Sequence, residues 1–407
     1  MQALVDKYTA GITELRPLSA KSSSMENWIL VTGTTGGLGS HLLAALASNG
    51  QYAGVYALNR ASRGLTLLER QRRALVNLGL DAEHILKKVE LIETDLSLED
   101  LGISSELYQK MQRNVSSILH NAWRVDFNLS LASFEPNVKS VRNLLVFSLT
   151  SPRPQPPKFI YTSSIGVFNN TSEVQEPLLE EHVSAEISAG NGYGESKWVS
   201  EQILLNASES TPVKTLVVRL GQLSGGLIGS WNVKEWLPSM IQSSTAVKCI
   251  PSNEKDISWI PNDLAAEVLV DFSLADFDSG SVSHLVHPKP VPWKMLANVI
   301  ASELGVFTVP YNEWLSKLKD LVFKADSNGT SAETLRNVPA LRLLPFFDGL
   351  GNIINGGGSE FGTPKLSVHR SMTLSKTLSD PKLEQLGEAD AKAWIGYWRR
   401  MGFIKND

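Results

Sequence analysis

The chain has 407 residues, of which 42% are hydrophobic and 20% charged, a net charge of −4 and a single cysteine. That length predicts two domains rather than one core, and the composition excludes a disordered chain. The charge gives no case for nucleic acid or an anionic membrane, and Cys249 alone excludes an internal disulfide or a multi-cysteine metal site.

Short β-rich runs recur at 27–33, 54–60, 88–95, 115–122, 158–164 and 214–222, separated by stretches of helical spacing such as 40–50 and 69–80. Six apolar strands joined by helical crossovers predict a Rossmann-type, doubly wound parallel sheet, buried on both faces. The proline-rich 150–159 reads as an exposed loop ahead of the fifth strand. Beyond about residue 225 the alternation gives way to a Trp-, Pro- and Gly-rich region. We expect a Rossmann domain over 26–225 and a smaller, mostly helical substrate lobe over 226–407, with about 255–290 returning to the sheet. The stretch 355–365 reads as a flexible loop and 388–403 as a final amphipathic helix. No run approaches the roughly 18 apolar residues of a membrane span. The N-terminus carries no secretory apolar segment. A cytoplasmic protein is expected, and the lone cysteine suits a reducing compartment.

The first run leads directly into TGTTGGLG, residues 32–39, where Gly33, Gly36 and Gly39 are spaced G-x-x-G-x-x-G. A strand before, a helix after and a continuing βαβ pattern make this a phosphate-cradling loop rather than a simple turn. Thr35, Gly37 and Leu38 complete it. No Lys-Ser/Thr follows the glycines, so a triphosphate loop is not expected. The second run ends in Asn59-Arg60, where an NAD-type fold usually places an acidic residue for the ribose hydroxyl. A cation there favours a 2′-phosphate, and hence NADPH. Asp95 and Leu96 follow the third run, Asn121 and Ala122 the fourth, and Leu220, Gly221 and Leu223 the sixth; all are candidate cofactor contacts.

The fifth run ends in Ser163-Ser164, at the sheet edge where open α/β sheets bind ligands. Downstream, Tyr193 and Lys197 lie four apart on one helical face. A hydride arriving at a carbonyl carbon leaves charge on the oxygen, and the site needs donors aimed there. Tyr193 can donate the proton once its pKa of about 10 is lowered, and Lys197 favours the phenolate and can bond the ribose. Ser164, followed by the Ile-Gly-Val turn, is preferred to Ser163 as the oxygen donor.

These motifs resemble those of the extended short-chain dehydrogenase/reductases. More narrowly, the chain is similar to the terminal thioester reductase domains of nonribosomal peptide synthetases, carboxylic acid reductases and fungal adenylate-forming reductases. The matching stretches are YTAG, VTGTTGGLG, HNAWRVDFNLSLASFEPNV, YTSSIGV, GYGESKWVSE, RLGQLSGG, SWIPNDLAA, HLVHPKPVPW and YWRRMGF, which span nearly the whole chain. The resemblance implies that Gly33, Gly36 and Gly39 hold the pyrophosphate, that Arg60 and Arg70 hold the 2′-phosphate, and that Ser164, Tyr193 and Lys197 are catalytic. It implies an acyl or aryl thioester on a carrier domain's phosphopantetheine arm as substrate, released as an aldehyde, with the alcohol as the product of a second round. It also implies that the chain is the C-terminal part of a larger enzyme, with residues 1–25 the linker from a carrier domain. Asp126 departs from the pattern, because many relatives have Asn there.

Other residues have plainer readings beside the functional ones. Trp231, Trp236, Trp259 and Trp293 could wall an acyl pocket, but such tryptophans are more often core. His284 and His287 lack a third ligand, so no metal is expected. Lys248, Lys255, Lys289 and Lys294 could meet an acidic carrier but read as solvated surface, and Cys249 as buried. The competing functions are a stand-alone reductase, a nucleotide-sugar epimerase or dehydratase, and a non-catalytic NADP sensor.

Overall fold

The computed structural model describes residues 1–17, 26–171, 176–326, 332–355 and 364–405. Each of the six expected strands forms: β1 (Trp28–Thr32), β2 (Gly54–Asn59), β3 (Val89–Glu93), β4 (Val115–His120), β5 (Lys158–Ser164) and β6 (Thr215–Leu220). A seventh, β7 (Ser281–Leu285), comes from the stretch expected to return to the sheet. The order is β7-β6-β5-β4-β1-β2-β3 and every pairing is parallel. The order reverses between β1 and β4, the switch point at which such sheets bind ligands. β2 is buried at every position, as a strand covered by helices on both faces requires.

The chain divides into two compact units. The first comprises 1–221, 262–286 and 366–383. It holds the sheet with helices α1 (Gln2–Thr9), α2 (Gly37–Asn49), α3 (Leu67–Asn77), α4 (Glu135–Leu149), α5 (Gly192–Ser210) and α6 (Asn262–Leu274). The second comprises 222–261, 287–365 and 384–407.

Two segments differ from the sequence reading. Residues 1–14, expected within a linker, fold as α1 and a short 3-10 turn, and Val5, Tyr8 and Ile12 are buried in the same apolar cluster as Val199 and Ile203 of α5. Their spacing puts one apolar stripe on the helix, and the Tyr8 hydroxyl and Lys7 ammonium both donate to Glu135 (2.8 and 2.6 Å). Residues 18–25, the remainder of the expected linker, lie outside the described residues, as does most of the loop at 355–365. Residues 366–383, read as part of the C-terminal lobe, belong to the first unit. Polar anchors hold them there. The Glu180 carboxylate accepts from the amides of His284 and Ser371 and from the Ser371 hydroxyl, and Asp271 accepts from Ser375 and the Thr377 amide. Bonds from amides and hydroxyls to a carboxylate leave no periodicity in the sequence.

The N-terminal helix gives a direct test. Val5→Ala should lower stability by about 2 kcal/mol in urea unfolding, because it leaves a cavity in a packed cluster; a linker residue would change it by nothing measurable.

Candidate active site

The loop after β1 is shaped by three glycines with different duties. Gly33 has φ 73°, and a Cβ there would sit 2.9 Å from Ala122 Cα, so the turn after β4 packs directly on it. A Cβ on Gly39 would lie 2.2 Å from the Gly33 carbonyl oxygen. Both positions exclude any side chain. Gly36 is different: it is the N-cap of α2 at φ −82°, and a Cβ would meet nothing closer than 3.5 Å. It caps the helix with no side-chain bond and is exposed together with Gly37. An open helix N-terminus bare of side chains fits a pyrophosphate, whose charge its amides and dipole favour.

A buried polar network braces this loop from behind. The Asn59 carboxamide oxygen accepts from the Thr35 amide and hydroxyl (3.2 and 3.4 Å), and its NH2 donates to the Thr34 hydroxyl (2.7 Å). Gln71 of α3, fully buried, accepts from the Thr34 hydroxyl (2.7 Å) and donates to its carbonyl (3.0 Å). Thr34 and Gln71 were not singled out in the sequence. Gln71 did leave a signal, a polar residue on the apolar stripe between Leu67 and Leu75. Asn59 braces the loop by these side-chain bonds.

The remaining cofactor candidates distribute unevenly. Arg60 is exposed at the end of β2, and Arg70 donates to the Arg60 carbonyl (2.9 Å) and pairs with Glu93 (3.4 Å). Asp95 is exposed and accepts from the amide and hydroxyl of Ser97 (3.0 and 2.6 Å), closing a turn. The amides of Asn121 and Ala122 donate to the Thr32 hydroxyl (3.0 and 2.8 Å). Leu96 and Leu220 are half-buried, and Leu223 belongs to the second unit. Asp126 accepts from the Asn128 amide (3.1 Å) and pairs with Arg124 (3.5 Å), so its carboxylate serves its own turn.

Ser164, Tyr193 and Lys197 do converge. Asn191 caps α5 through the Gly194 amide (2.8 Å), which starts the helix just ahead of Tyr193. Gly166 and Gly194 let the turn after β5 and the start of α5 approach closely; a Cβ on Gly194 would lie 2.0 Å from the Gly166 carbonyl oxygen. The Ser164 hydroxyl accepts from the Gly166 amide (3.0 Å), and a Cβ on Gly166 would meet both that hydroxyl (3.3 Å) and the Tyr193 ring (3.2 Å), so the two side chains come together there. Ser163 points elsewhere: it is buried and donates to Glu201 (2.5 Å). Lys197 is buried, donates to the Thr162 carbonyl (2.7 Å), and lies 4.3 Å from the ring centre of Trp123, 4.9 Å from that of Tyr161 and 5.8 Å from that of Tyr193.

The electrostatics differ from the expectation in one respect. Burial pushes the Tyr193 phenol above its ordinary pKa, against a smaller lowering by Ser164. Burial drives Lys197 well below its ordinary value, and Glu201 opposes that. His120, fully enclosed and bonded to Thr32 (2.9 Å), is pushed down to about 3, mainly by burial and then by Lys197. The desolvation of both Tyr193 and Lys197 outweighs the help they could give each other. A phenol that keeps its proton at neutral pH suits an acid.

The second unit contains most of the tryptophans. Trp231, Trp259, Trp293, Trp314, Trp394 and Trp398 are all fully buried. Trp231 packs edge-on against Trp394 (5.0 Å) and Trp259 (5.8 Å), and its indole N–H donates to Glu235 (2.8 Å). These rings are core, the plainer of the two readings; Trp236 is half-buried and donates to Gln222 (2.7 Å). Burial raises the pKa of Glu235 to about 7. Cys249 is buried and free. His284 lies in β7 and His287 in a turn, each bonded to backbone carbonyls. Lys248 is exposed and Lys294 pairs with Glu254.

A glycine loop at the switch point of a parallel sheet and a Ser, Tyr, Lys cluster at its carboxyl edge define a dinucleotide-binding fold of the short-chain dehydrogenase type. An NAD-binding family model, described as male sterility protein, matches residues 31–269, and the chain belongs to that family. The chain is 42% identical to adenylate-forming reductase Nps10 of Heterobasidion annosum, over 99% of this chain and 37% of that protein. It is 32% identical to a carboxylic acid reductase of Neurospora crassa, over 98% of this chain and 37% of that one. It thus spans little more than a third of each of these two relatives. Among solved structures, the terminal R domain of the myxalamid PKS-NRPS pathway superposes with a TM-score of 0.80 at 22% identity, covering 99% of this chain and 98% of that one. No helix among the described residues is long and apolar enough to cross a membrane.

The contrast between two glycines separates packing from ligand approach. Gly39→Ala should lower both thermal stability and dinucleotide affinity, whereas Gly36→Ala should leave the melting temperature unchanged and weaken binding by about tenfold or more, as read by fluorescence titration. Unchanged binding in Gly36→Ala would remove the loop from the cofactor site.

Proposed function

We propose that the chain is the reductase part of an adenylate-forming reductase. It would use NADPH to release an acyl or aryl thioester from the phosphopantetheine arm of a carrier domain as an aldehyde, with the alcohol as the product of a further round. The observation that carries this reading is the approach of Ser164 and Tyr193 to one another around Gly166, beside buried Lys197, in the same unit as the glycine loop. Similarity to reductases over nearly the whole chain supports it. The second unit is assigned the acyl group and the carrier. A cytoplasmic setting fits the free thiol.

NADPH, when bound, supplies a hydride to the thioester carbonyl carbon. Gly36 and the first turn of α2 would hold its pyrophosphate, with Arg60 and Arg70 at the 2′-phosphate. Asp95, Leu96, Asn121, Ala122, Leu220 and Gly221, all of the first unit, are the further contacts we assign to it. As charge grows on the carbonyl oxygen, Ser164 donates a hydrogen bond and Tyr193 gives up its proton. Lys197 then steadies the phenolate left behind, an anion that its ammonium favours in a site dry enough to strengthen the attraction. The resulting hemithioacetal separates into aldehyde and free thiol without a further redox step.

Tyr193→Phe should reduce thioester-dependent NADPH oxidation by about a hundredfold or more while leaving NADPH affinity unaltered. Full activity in that variant would place the acid elsewhere. Arg60→Ala should weaken NADPH binding much more than NADH binding in parallel titrations; an equal loss for both would refute its role at the 2′-phosphate. Oxidation of NADPH by nucleotide sugars or free ketones, with none by any acyl-pantetheine thioester, would overturn the thioester reading.

A further inference from the structure

Behind the proposed catalytic residues, among the charges of the first unit, lies an ion pair fully shielded from solvent. Glu201 of α5 and Arg219 of β6 are both fully buried. One carboxylate oxygen accepts from Arg219 Nε (3.1 Å) and from the Ser163 hydroxyl (2.5 Å), and the other accepts from Arg219 Nη2 (2.7 Å). Arg219 spends a further donor on the Glu181 carbonyl (2.8 Å), and its guanidinium lies 5.0 Å from the ring centre of Phe168. Burying two charges costs several kcal/mol per ion before any attraction is counted, and apolar residues of like size often do as well for stability. A buried pair with this many directed bonds is better explained by the geometry it imposes than by the stability it adds.

That geometry concerns the end of β5. Three consecutive residues there are each tied to a different partner. Thr162 accepts Lys197 Nζ on its carbonyl, Ser163 donates to Glu201, and Ser164 accepts from the Gly166 amide beside the Tyr193 ring. Tyr193, Lys197 and Glu201 are spaced four apart, so α5 presents all three to the same strand. The groups that face Lys197 are His120 of β4, Tyr161 and Thr162 of β5, Trp123 of the following loop, and Tyr193 and Glu201 of α5. Of these only Glu201 opposes the loss of charge at Lys197. We propose that Glu201, clamped by Arg219, is a positioning residue for the hydride-transfer site: it fixes the Ser163–Ser164 end of β5 and stands as the counter-charge of Lys197.

The inference rests on the reductase reading above. Ser163→Ala leaves the ion pair intact and removes only its link to β5. We expect kcat to fall about tenfold with NADPH affinity and melting temperature near wild type, since small displacements of reacting groups carry large rate costs. The double variant Glu201→Gln/Arg219→Gln removes both charges together, so neither is left buried alone. Lys197 then loses the carboxylate that sustains its ammonium, and the alkaline limb of the kcat–pH profile should move to lower pH. A kcat unchanged in Ser163→Ala, or an alkaline limb unshifted in the double variant, overturns the proposal; if the double variant does not fold, Ser163→Ala decides alone. Failure of the thioester reading looks different. Wild-type protein would then oxidise NADPH with a free carbonyl compound and not with a thioester, and the same comparison of variants is made on that compound.

Discussion

The polarity of the parallel sheet is the constraint from which the rest follows. Because all seven strands run the same way, their carboxyl ends gather on one edge. The glycine loop after β1, Asn59 at the end of β2, the His120–Trp123 turn after β4 and Ser164 at the end of β5 are therefore neighbours, although they are far apart along the chain. The reversal of strand order between β1 and β4 opens that edge. Gly33 shows how tightly the arrangement is drawn, since Ala122 stands where its side chain would be.

On this edge the protein keeps charges out of water. Lys197 donates to a carbonyl and lies among aromatic rings, and the Glu201 carboxylate, held by Arg219, stands one turn further along α5. Such an arrangement is costly, and it makes each group's protonation depend on a few fixed neighbours. Burial raises Tyr193 and depresses Lys197, which favours the uncharged form of each.

The two units solve the problem of burial differently. The first buries aliphatic strands between helices, with polar anchors at Glu180 and Asp271 drawing in a late segment of the chain. The second packs large rings against one another, with indole N–H groups of Trp231, Trp293 and Trp398 each bonded to a carboxylate or carbonyl oxygen. Its tryptophans fill a core, and a sequence can show their abundance but not which way they face.

The sequence by itself determined the sheet, the glycine loop and the spacing of Tyr193 and Lys197, because apolar runs, glycine spacing and helical periodicity are local properties of the chain. It also pointed to Ser164 over Ser163 from the turn that follows. The bracing of the loop by Gln71, the Ser163–Glu201–Arg219 cluster, the inclusion of α1 and the recruitment of residues 366–383 were decided by tertiary structure. So was the direction of the Tyr193 shift, which depends on how much water the fold removes and not on which residues are present. Each of these joins residues distant in sequence through directed bonds or shared burial, and only the folded chain brings such partners together.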